Sequence, residues 1–409
     1  MGTKKHFDVV IVGGGAAGIA VASSLLKRAA QLSIAIIEPA DKHYYQPGWT
    51  LVGAGIFSPP VTARTMASVM PAAVTWLKQS VEAFSPDDDR VGLSDGSEVG
   101  YDRLVVCPGL KLDWAAVEGL EENLGRNGVT SNYSYKTASY TWDLVQNMKS
   151  GKALFTQPPM PIKCAGAPQK AMYLSADHWY RTGLMDTIDV AFYTSTPGLF
   201  GVAHYVPALM KYVDKYRAKL NFGHTLTRID GAAKVATFRN TEGALVESDF
   251  DMIHVCPPQC APDFIRSSSL ADEGGWVDVD PDTLQSRKYD NVWALGDVIN
   301  APNAKTAAAA RAQAPVVATN LLAHAGHRSE VGHYNGYGSC PLTVERGKIV
   351  LAEFGYGGKL LPSFPSWLID GQYPSALAWQ LKAKVLPWIY WNAMLKGREW
   401  LVKPTRRVD

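Results

Sequence analysis

FDVVIVGGGAAGIA, residues 7–20, is the stretch on which the reading of the fold turns. Residues 7–12 are a short, almost unbroken apolar run bounded by glycine, the pattern of a buried parallel strand. Gly13-x-Gly15-x-x-Gly18 follows at once, and the Ala/Ile/Leu-rich continuation is helical. A second strand over 33–37 ends on Glu38, 20 residues past Gly18. Strand, glycine turn, helix, strand and acid together form the dinucleotide-binding fingerprint in the context it requires. Gly13 makes the tight turn and Gly15 lets the backbone approach a pyrophosphate. Gly18 lets helix and strand pack closely, and Ala16 and Ala17 complete the cofactor-contacting turn. The helix N-terminus faces the phosphates, and Glu38 is placed to accept hydrogen bonds from the adenosine ribose.

The chain around this motif has 409 residues, enough for two or three domains with a sizeable core. A formal net charge of +2 gives no basic surplus, so no nucleic-acid partner is expected. Cys107, Cys164, Cys256, Cys260 and Cys340 are too few and too scattered for a disulfide scaffold, and their odd number leaves a free thiol. No run of 18 apolar residues spans a membrane. The chain enters its first strand almost immediately, which leaves no room for a signal peptide.

Two further stretches choose between FAD and NAD. DNVWALGD (290–297) is a strand ending in Gly296-Asp297. This resembles the pattern by which FAD-dependent disulfide-reductase-like proteins hold the flavin ribitol. DRLVVCPG (102–109) resembles the strand and Gly109 turn that close the first half of such an FAD domain. FAD is therefore the expected cofactor. DRLVVCP (102–108) also recurs as DMIHVCP (251–257), about 150 residues later, which suggests a duplicated domain inserted in the first. In pyridine-nucleotide reductases the second copy carries its own glycine motif. Here the corresponding strand, 152–156, is followed by QPPMPIKCAGAPQK, with no GxGxxG. The next strand, 189–194, ends in Ser195-Thr-Pro rather than in an acid or a basic cluster. The second copy is read as having lost its pyridine nucleotide, so electrons must come from something smaller.

Cys164 precedes a helix expected over 168–179, with Lys163 and Lys170 nearby. A thiol there should have a depressed pKa and be largely thiolate near neutral pH; a small buried hydrophobe in a proline-rich turn is the plainer alternative. Cys340, in YNGYGSCP (334–341), sits in an expected Gly/Tyr loop, either an accessible functional thiol or an ordinary Cys-Pro turn. Cys107 reads as structural. Cys256 and Cys260 are separated by prolines and lack a second ligand pair, so no metal is expected.

At these residues the chain resembles the sulfide:quinone oxidoreductases of mitochondria and many bacteria, over nearly its whole length. The marks are HYYQP (43–47), WTLVGAG (49–55), KCAGAPQK (163–170), GWVDVD (275–280), KTAAA (305–309) and SCPL (339–342). The resemblance implies an α/β fold with two Rossmann-like dinucleotide-binding domains, the second without NAD, and a C-terminal membrane-associating helical segment. Its divisions are residues 1–112 and 256–325 for the FAD domain, 113–255 for the inserted domain and 326–409 for the C-terminal segment. It implies Cys164 and Cys340 as the redox pair. A further cysteine that another branch carries is absent from 108–163. Hydrosulfide would open their disulfide-level state to a persulfide and a thiolate, with Cys164 carrying the persulfide and Cys340 meeting the flavin. Two electrons would pass through FAD to ubiquinone or another quinone, and sulfane sulfur to a small thiol or sulfite. The resemblance also places Gln46 and Trp49 near the cofactor. Lys305 and Thr306 open a helix aimed at the flavin pyrimidine edge, where ammonium and dipole would stabilise the reduced anion.

A quinone reductase with no span needs an interfacial surface. ALAWQLKAKVLPWIYWNAMLKGREWL (376–401) mixes Trp, Tyr, Lys and Arg in the manner of an in-plane anchor. Pro387 is expected to break it into two helices. Phe354 and Tyr356 are candidates to stack the quinone ring. The expected place is the cytoplasmic face of a bacterial inner membrane, with the mitochondrial inner membrane after presequence removal as the alternative. Homo-oligomerisation is left open. The competing readings are a type II NADH:quinone dehydrogenase, the flavin subunit of a flavocytochrome-type sulfide dehydrogenase, and a non-enzymatic flavin-binding factor.

Overall fold

The computed structural model describes residues 5–327, 329–400 and 402, with the backbone of Thr405–Val408. Residues 1–4 of the first division and Leu401 of the aromatic segment lie outside the described residues.

The strand Lys5–Val12 is central because its apolar half has no exposed surface. Val9, Val10 and Ile11 are fully buried, and each such side chain contributes about 1.5–3 kcal/mol. It pairs in parallel with Ile34–Ile37 on one side and with Glu98–Val106 on the other. Val74–Leu77 extends the sheet beyond Ile34–Ile37, again in parallel. Glu98–Val106 is shared. Its first half pairs with the hairpin of Val81–Ser85 and Arg90–Leu93, and its last three residues take Val292–Ala294 as a parallel partner. Residues nearly two hundred apart thus meet at the carboxyl ends of these strands, where the Gly13–Gly18 turn also lies. The helices Ala16–Arg28 and Ala307–His324 pack on one another across this edge.

A second, five-stranded parallel sheet runs Val129–Thr130, Met252–His254, Gly151–Gln157, Ile188–Thr194, Lys219–Phe222. Its carboxyl edge carries the loop to Cys164 and the helix Ala167–Arg181, which begins one residue before the expected 168 and runs two past 179. A three-stranded antiparallel sheet, Thr225–Asp230, Val235–Arg239 and Leu245–Asp249, accompanies it.

The chain departs from expectation near its C-terminus. Cys340 lies in the strand Gly338–Glu345, paired with Lys348–Phe354, and is 3% exposed rather than in an open loop. The Gly/Tyr run ends at Gly338, and the apolar residues after it form a hairpin against Ala167–Arg181. Pro387 does not break the aromatic segment. Ala376–Gln380, a π turn at Leu381–Val385 and Leu386–Asn392 follow without interruption. Pro387 falls in the first turn of the last of these, where the missing N–H costs little. Among the described residues, no helix is long and apolar enough to cross a membrane.

Candidate active site

A cavity of about 420 Å³ runs from the Gly15–Ala17 turn, past Cys164, to the C-terminal helices. Its first end has the shape a dinucleotide needs. A Cβ added at Gly15 or Gly109 would meet nothing within 4 Å, so both backbones face open space. Gly18 is packed shut, because a Cβ there would lie 1.9 Å from the Gly13 carbonyl oxygen. Glu38 is oriented by its own turn, its Oε2 accepting from Gly14 N at 2.8 Å and its Oε1 from Ala40 N at 2.8 Å. Ala16, Ala17, Gln46, Gly296, Asp297 and Thr306 also line the cavity.

The middle of the cavity holds buried polar atoms without protein partners: Trp49 Nε1, Thr50 Oγ1, and both amide atoms of Asn132. Burying such groups unpaired is costly. Open glycine backbones, an acid placed for a ribose and unsatisfied donors around a flat space fit an FAD. Lys305 lines the same space but is not free to approach a ligand as a bare ammonium. Its Nζ donates to the carbonyls of Asp297 (2.8 Å) and Ile299 (2.7 Å) and lies 4.1 Å from the Trp276 ring centre. Burial pushes it down to about 8. It clamps the Gly296–Val298 turn, and its carbonyl receives the Cys164 N–H at 2.8 Å.

Cys164 has φ +48°, the left-handed region a side chain rarely adopts. The turn is held from both sides, since Ala167 N donates to the Cys164 carbonyl at 2.7 Å. Such strain persists where surrounding structure enforces it. Lys170, one turn into the helix and 2% exposed, donates to the sulfur at 3.0 Å. The Cys340 thiol also hydrogen-bonds Cys164, and it does most to hold Cys164 well below the ordinary thiol range. Burial opposes this, and the Lys170 ammonium adds to the downward pull. Cys340 is pushed well above the ordinary range as the donor to that thiolate and by burial. The two sulfurs are therefore inequivalent, one thiolate and one thiol. Gly166 permits the contact: a Cβ there would lie 2.4 Å from Cys340 Sγ.

Cys164 is part of the cavity wall, whereas only the neighbours Ser339 and Pro341 of Cys340 are. Strand alternation accounts for this, because Cys340 faces the helix and the residues on either side face the cavity. Lys382 arrives from the π turn, 4% exposed, its Nζ donating to the Pro47 carbonyl at 2.9 Å. Burial and the neighbouring Lys170 push it down to about 8. An in-plane anchor over 376–401 would turn this lysine to the membrane surface; in the structure it points inward from the π turn.

Phe354 and Tyr356 do not line the cavity. Phe354 packs edge-on to Phe200, and the Tyr356 hydroxyl donates to the Pro281 carbonyl at 2.5 Å. The alternating partner of Phe354, Glu353, does line it, with Arg311, Tyr337 and Ser363. Sequence reading passed over these four, because three separate segments bring them together. Cys107 is buried against the Gly13 carbonyl, and burial keeps it protonated. Cys256 lies behind Cys164 and is pushed up to about 12 by burial. Among the described residues there is no group of three or more His, Cys, Asp or Glu that could hold a metal.

In the aromatic segment Trp379, Tyr390 and Trp391 are buried, and Tyr390 donates to or accepts from His43 Nε2 at 2.7 Å. Arg28 pairs with Glu399 at 2.6 Å. What stays exposed is Leu377, Val385, Trp388 and Trp400, with Trp367 at 83%.

Residues 7–141 match the pyridine nucleotide-disulphide oxidoreductase family. The mitochondrial sulfide:quinone oxidoreductase of Dictyostelium discoideum is 44% identical over 405 residues, covering 98% of this chain and 88% of that protein. The mitochondrial sulfide:quinone oxidoreductase of Mus musculus is 38% identical over 396 residues, covering 96% and 87%. The crystal structure of the sulfide:quinone oxidoreductase from Aquifex aeolicus superposes with a TM-score of 0.81 at 19% identity, over 99% of this chain and 98% of that one, a likeness of fold. Identity of this extent along nearly the whole length, together with the paired sulfurs beside a dinucleotide cavity, makes this chain a member of the sulfide:quinone oxidoreductase family.

Proposed function

We propose that the protein oxidises hydrogen sulfide at Cys164 and Cys340 and passes two electrons through FAD to a quinone. The observation that carries this reading is the pair of neighbouring sulfurs, with Cys164 on the wall of the dinucleotide cavity beside the Lys170 ammonium and Cys340 sealed behind it. Bound in that cavity, FAD supplies a two-electron acceptor that can be reoxidised by a quinone. Gly15, Ala16 and Ala17 would hold its pyrophosphate, Glu38 its ribose, and Gly109, Gly296 and Asp297 its remaining length.

In the oxidised enzyme the two cysteines share a sulfur–sulfur bond, and HS⁻ attacks it. One new sulfur–sulfur bond forms, the old one breaks, and a persulfide and a thiolate result. Cavity lining supports Cys164 as the sulfur that faces the flavin, leaving the persulfide to Cys340. This reverses the assignment implied by resemblance. Lys170 stabilises the thiolate that departs, which lowers the barrier to the exchange. Sulfane sulfur then leaves to a small thiol or sulfite.

The reading treats 113–255 as a Rossmann-like insertion without NAD. The strand Gly151–Gln157 leads into the Cys164 loop rather than a glycine turn, which disfavours the type II NADH dehydrogenase alternative. It also places the exposed rim of Trp367, Trp388 and Trp400 on a membrane surface, where ubiquinone would be met. The mitochondrial names of the relatives favour the mitochondrial inner membrane over the bacterial one.

Cys164→Ser should leave FAD bound and slow flavin bleaching by sulfide by about 10⁶-fold, the scale on which removing a nucleophile acts. Stopped-flow absorbance checks this; bleaching within tenfold of wild type overturns the assignment.

A further inference from the structure

Reducing a quinone to its hydroquinone consumes two protons, one at each oxygen, and the cysteine pair does not supply them. On the quinone reading, a proton donor is needed at the end of the cavity away from the glycine turn. There Phe364, Leu381, Leu386 and Ile389 form an apolar wall. The lining of the same cavity also carries a carboxylate that the cofactor end does not use. Glu353 is 5% exposed, on the cavity face of the strand Lys348–Phe354.

Its partners form a connected set. The Tyr337 hydroxyl donates to Glu353 Oε1 at 2.6 Å, and the Ser363 hydroxyl donates to the same oxygen at 2.6 Å. The Ser363 backbone N–H donates to Oε2 at 3.0 Å, and the two hydroxyls lie 3.0 Å apart. Ser363 is exposed while Glu353 is buried, so the set runs from solvent to the cavity. Arg311, on the helix Ala307–His324, faces both Tyr337 and Glu353 as the local cation. Tyr205 closes the strand side, bonding the Glu353 backbone at 3.0 and 3.1 Å. Burial and the neighbouring Glu353 raise Tyr337 above the usual phenol range, so it stays a donor. A carboxylate needed only to pin a loop has no reason to line an apolar cavity, where its desolvation is costly.

We propose that Glu353 is the proton relay for quinone reduction, fed from solvent through Ser363 and oriented by Tyr337. In each cycle Ser363 passes a solvent proton to the carboxylate, and Glu353 gives it to a quinone oxygen as that oxygen gains an electron. Two electrons from the reduced cofactor and two relayed protons convert quinone to hydroquinone, and Glu353 ends as it began.

The FAD-loaded protein is reduced anaerobically with sulfide, then mixed with decylubiquinone or with ferricyanide, a one-electron acceptor that takes up no proton. Glu353→Gln should be bleached by sulfide within twofold of wild type. It should bind decylubiquinone with unchanged affinity by tryptophan quenching and be reoxidised by ferricyanide normally. Reoxidation by decylubiquinone should fall about 10²-fold, the low end for a lost general acid. Ser363→Ala should slow the same step less and enlarge its solvent deuterium isotope effect; it serves alone if Glu353→Gln does not fold. Quinone reoxidation at the wild-type rate in both variants, or equal slowing with ferricyanide, overturns the relay. A wild-type enzyme that ferricyanide reoxidises but quinone does not overturns the quinone reading itself.

Discussion

Lys170 is the cation that favours the thiolate at Cys164, since its ammonium is buried and touches Cys164 Sγ. Substituting Lys170→Met removes a charge-assisted hydrogen bond from the thiolate while keeping much of the volume. Because the native shift is downward, the thiolate exists at pH values below the ordinary thiol range. The variant should move it up, so that alkylation of Cys164 by iodoacetamide in the reduced protein needs higher pH. An unchanged alkylation profile would show that the Cys340 hydrogen bond alone sets the charge. Sequence made part of this visible. A cysteine before a helix with lysines on either side is a local pattern, and ten residues contain it. Glu353, Tyr337, Ser363 and Arg311 were illegible by contrast, because a hairpin, a loop and a distant helix must first be placed. Cys340 was found by resemblance but mislaid in its surroundings. Gly-Tyr-Gly reads as loop, and only pairing with Lys348–Phe354 shows that its sulfur is sealed against Ala167–Arg181.

At the scale of elements, the segment from Ala376 to Asn392 is a buttress as much as a surface. His43, 3% exposed, joins the loop after Ile34–Ile37 to Tyr390, while its Nδ1 meets the Gly14 carbonyl at 3.2 Å. Burial lowers it to about 4, against the pull of that carbonyl. His254, in a strand of the second sheet, is lowered to about 3 by burial. Both are neutral when folded and bind a proton near 6.5 when unfolded, so the unfolded chain takes up more protons in acid. Stability is therefore intact above about pH 6.5 and falls as pH drops toward 4, by at most about 1.4 kcal/mol per pH unit for each histidine. Thermal unfolding between pH 7 and 4.5 measures this, and His43→Gln should flatten the slope; a slope steeper than wild type would contradict it. The proline inside the aromatic run pointed to a break, yet the π turn before it keeps the helix continuous and swings Lys382 inward. Hydropathy pattern assumes a regular 3.6-residue period, so a π turn is invisible to it.

For the whole molecule, the fingerprint over 7–20 was sufficient to announce the parallel sheet, since strand, turn and helix are contiguous. The return of residues 292–294 to that sheet was legible only through the Gly-Asp ending. What sequence could not divide was the aromatic segment into its buried and exposed faces. Trp388 and Trp400 stack with ring centres 5.6 Å apart on the outside, and Trp367 is exposed as well. Replacing Trp367 and Trp388 with alanine should weaken co-sedimentation with anionic vesicles at least about tenfold, or ~1.4 kcal/mol. Sulfide bleaching of the flavin should be unaffected, because neither residue lines the cavity. Unchanged vesicle binding would remove the interfacial role from this rim.

The central claim is that electrons enter from sulfide at a cysteine pair and not from a pyridine nucleotide. Anaerobic titration of the FAD-loaded protein, followed by flavin absorbance, tests it most directly. The account predicts bleaching by roughly stoichiometric sulfide, none by NADH, and recovery on adding quinone. Bleaching by NADH, or a flavin that micromolar sulfide leaves oxidised, would contradict it.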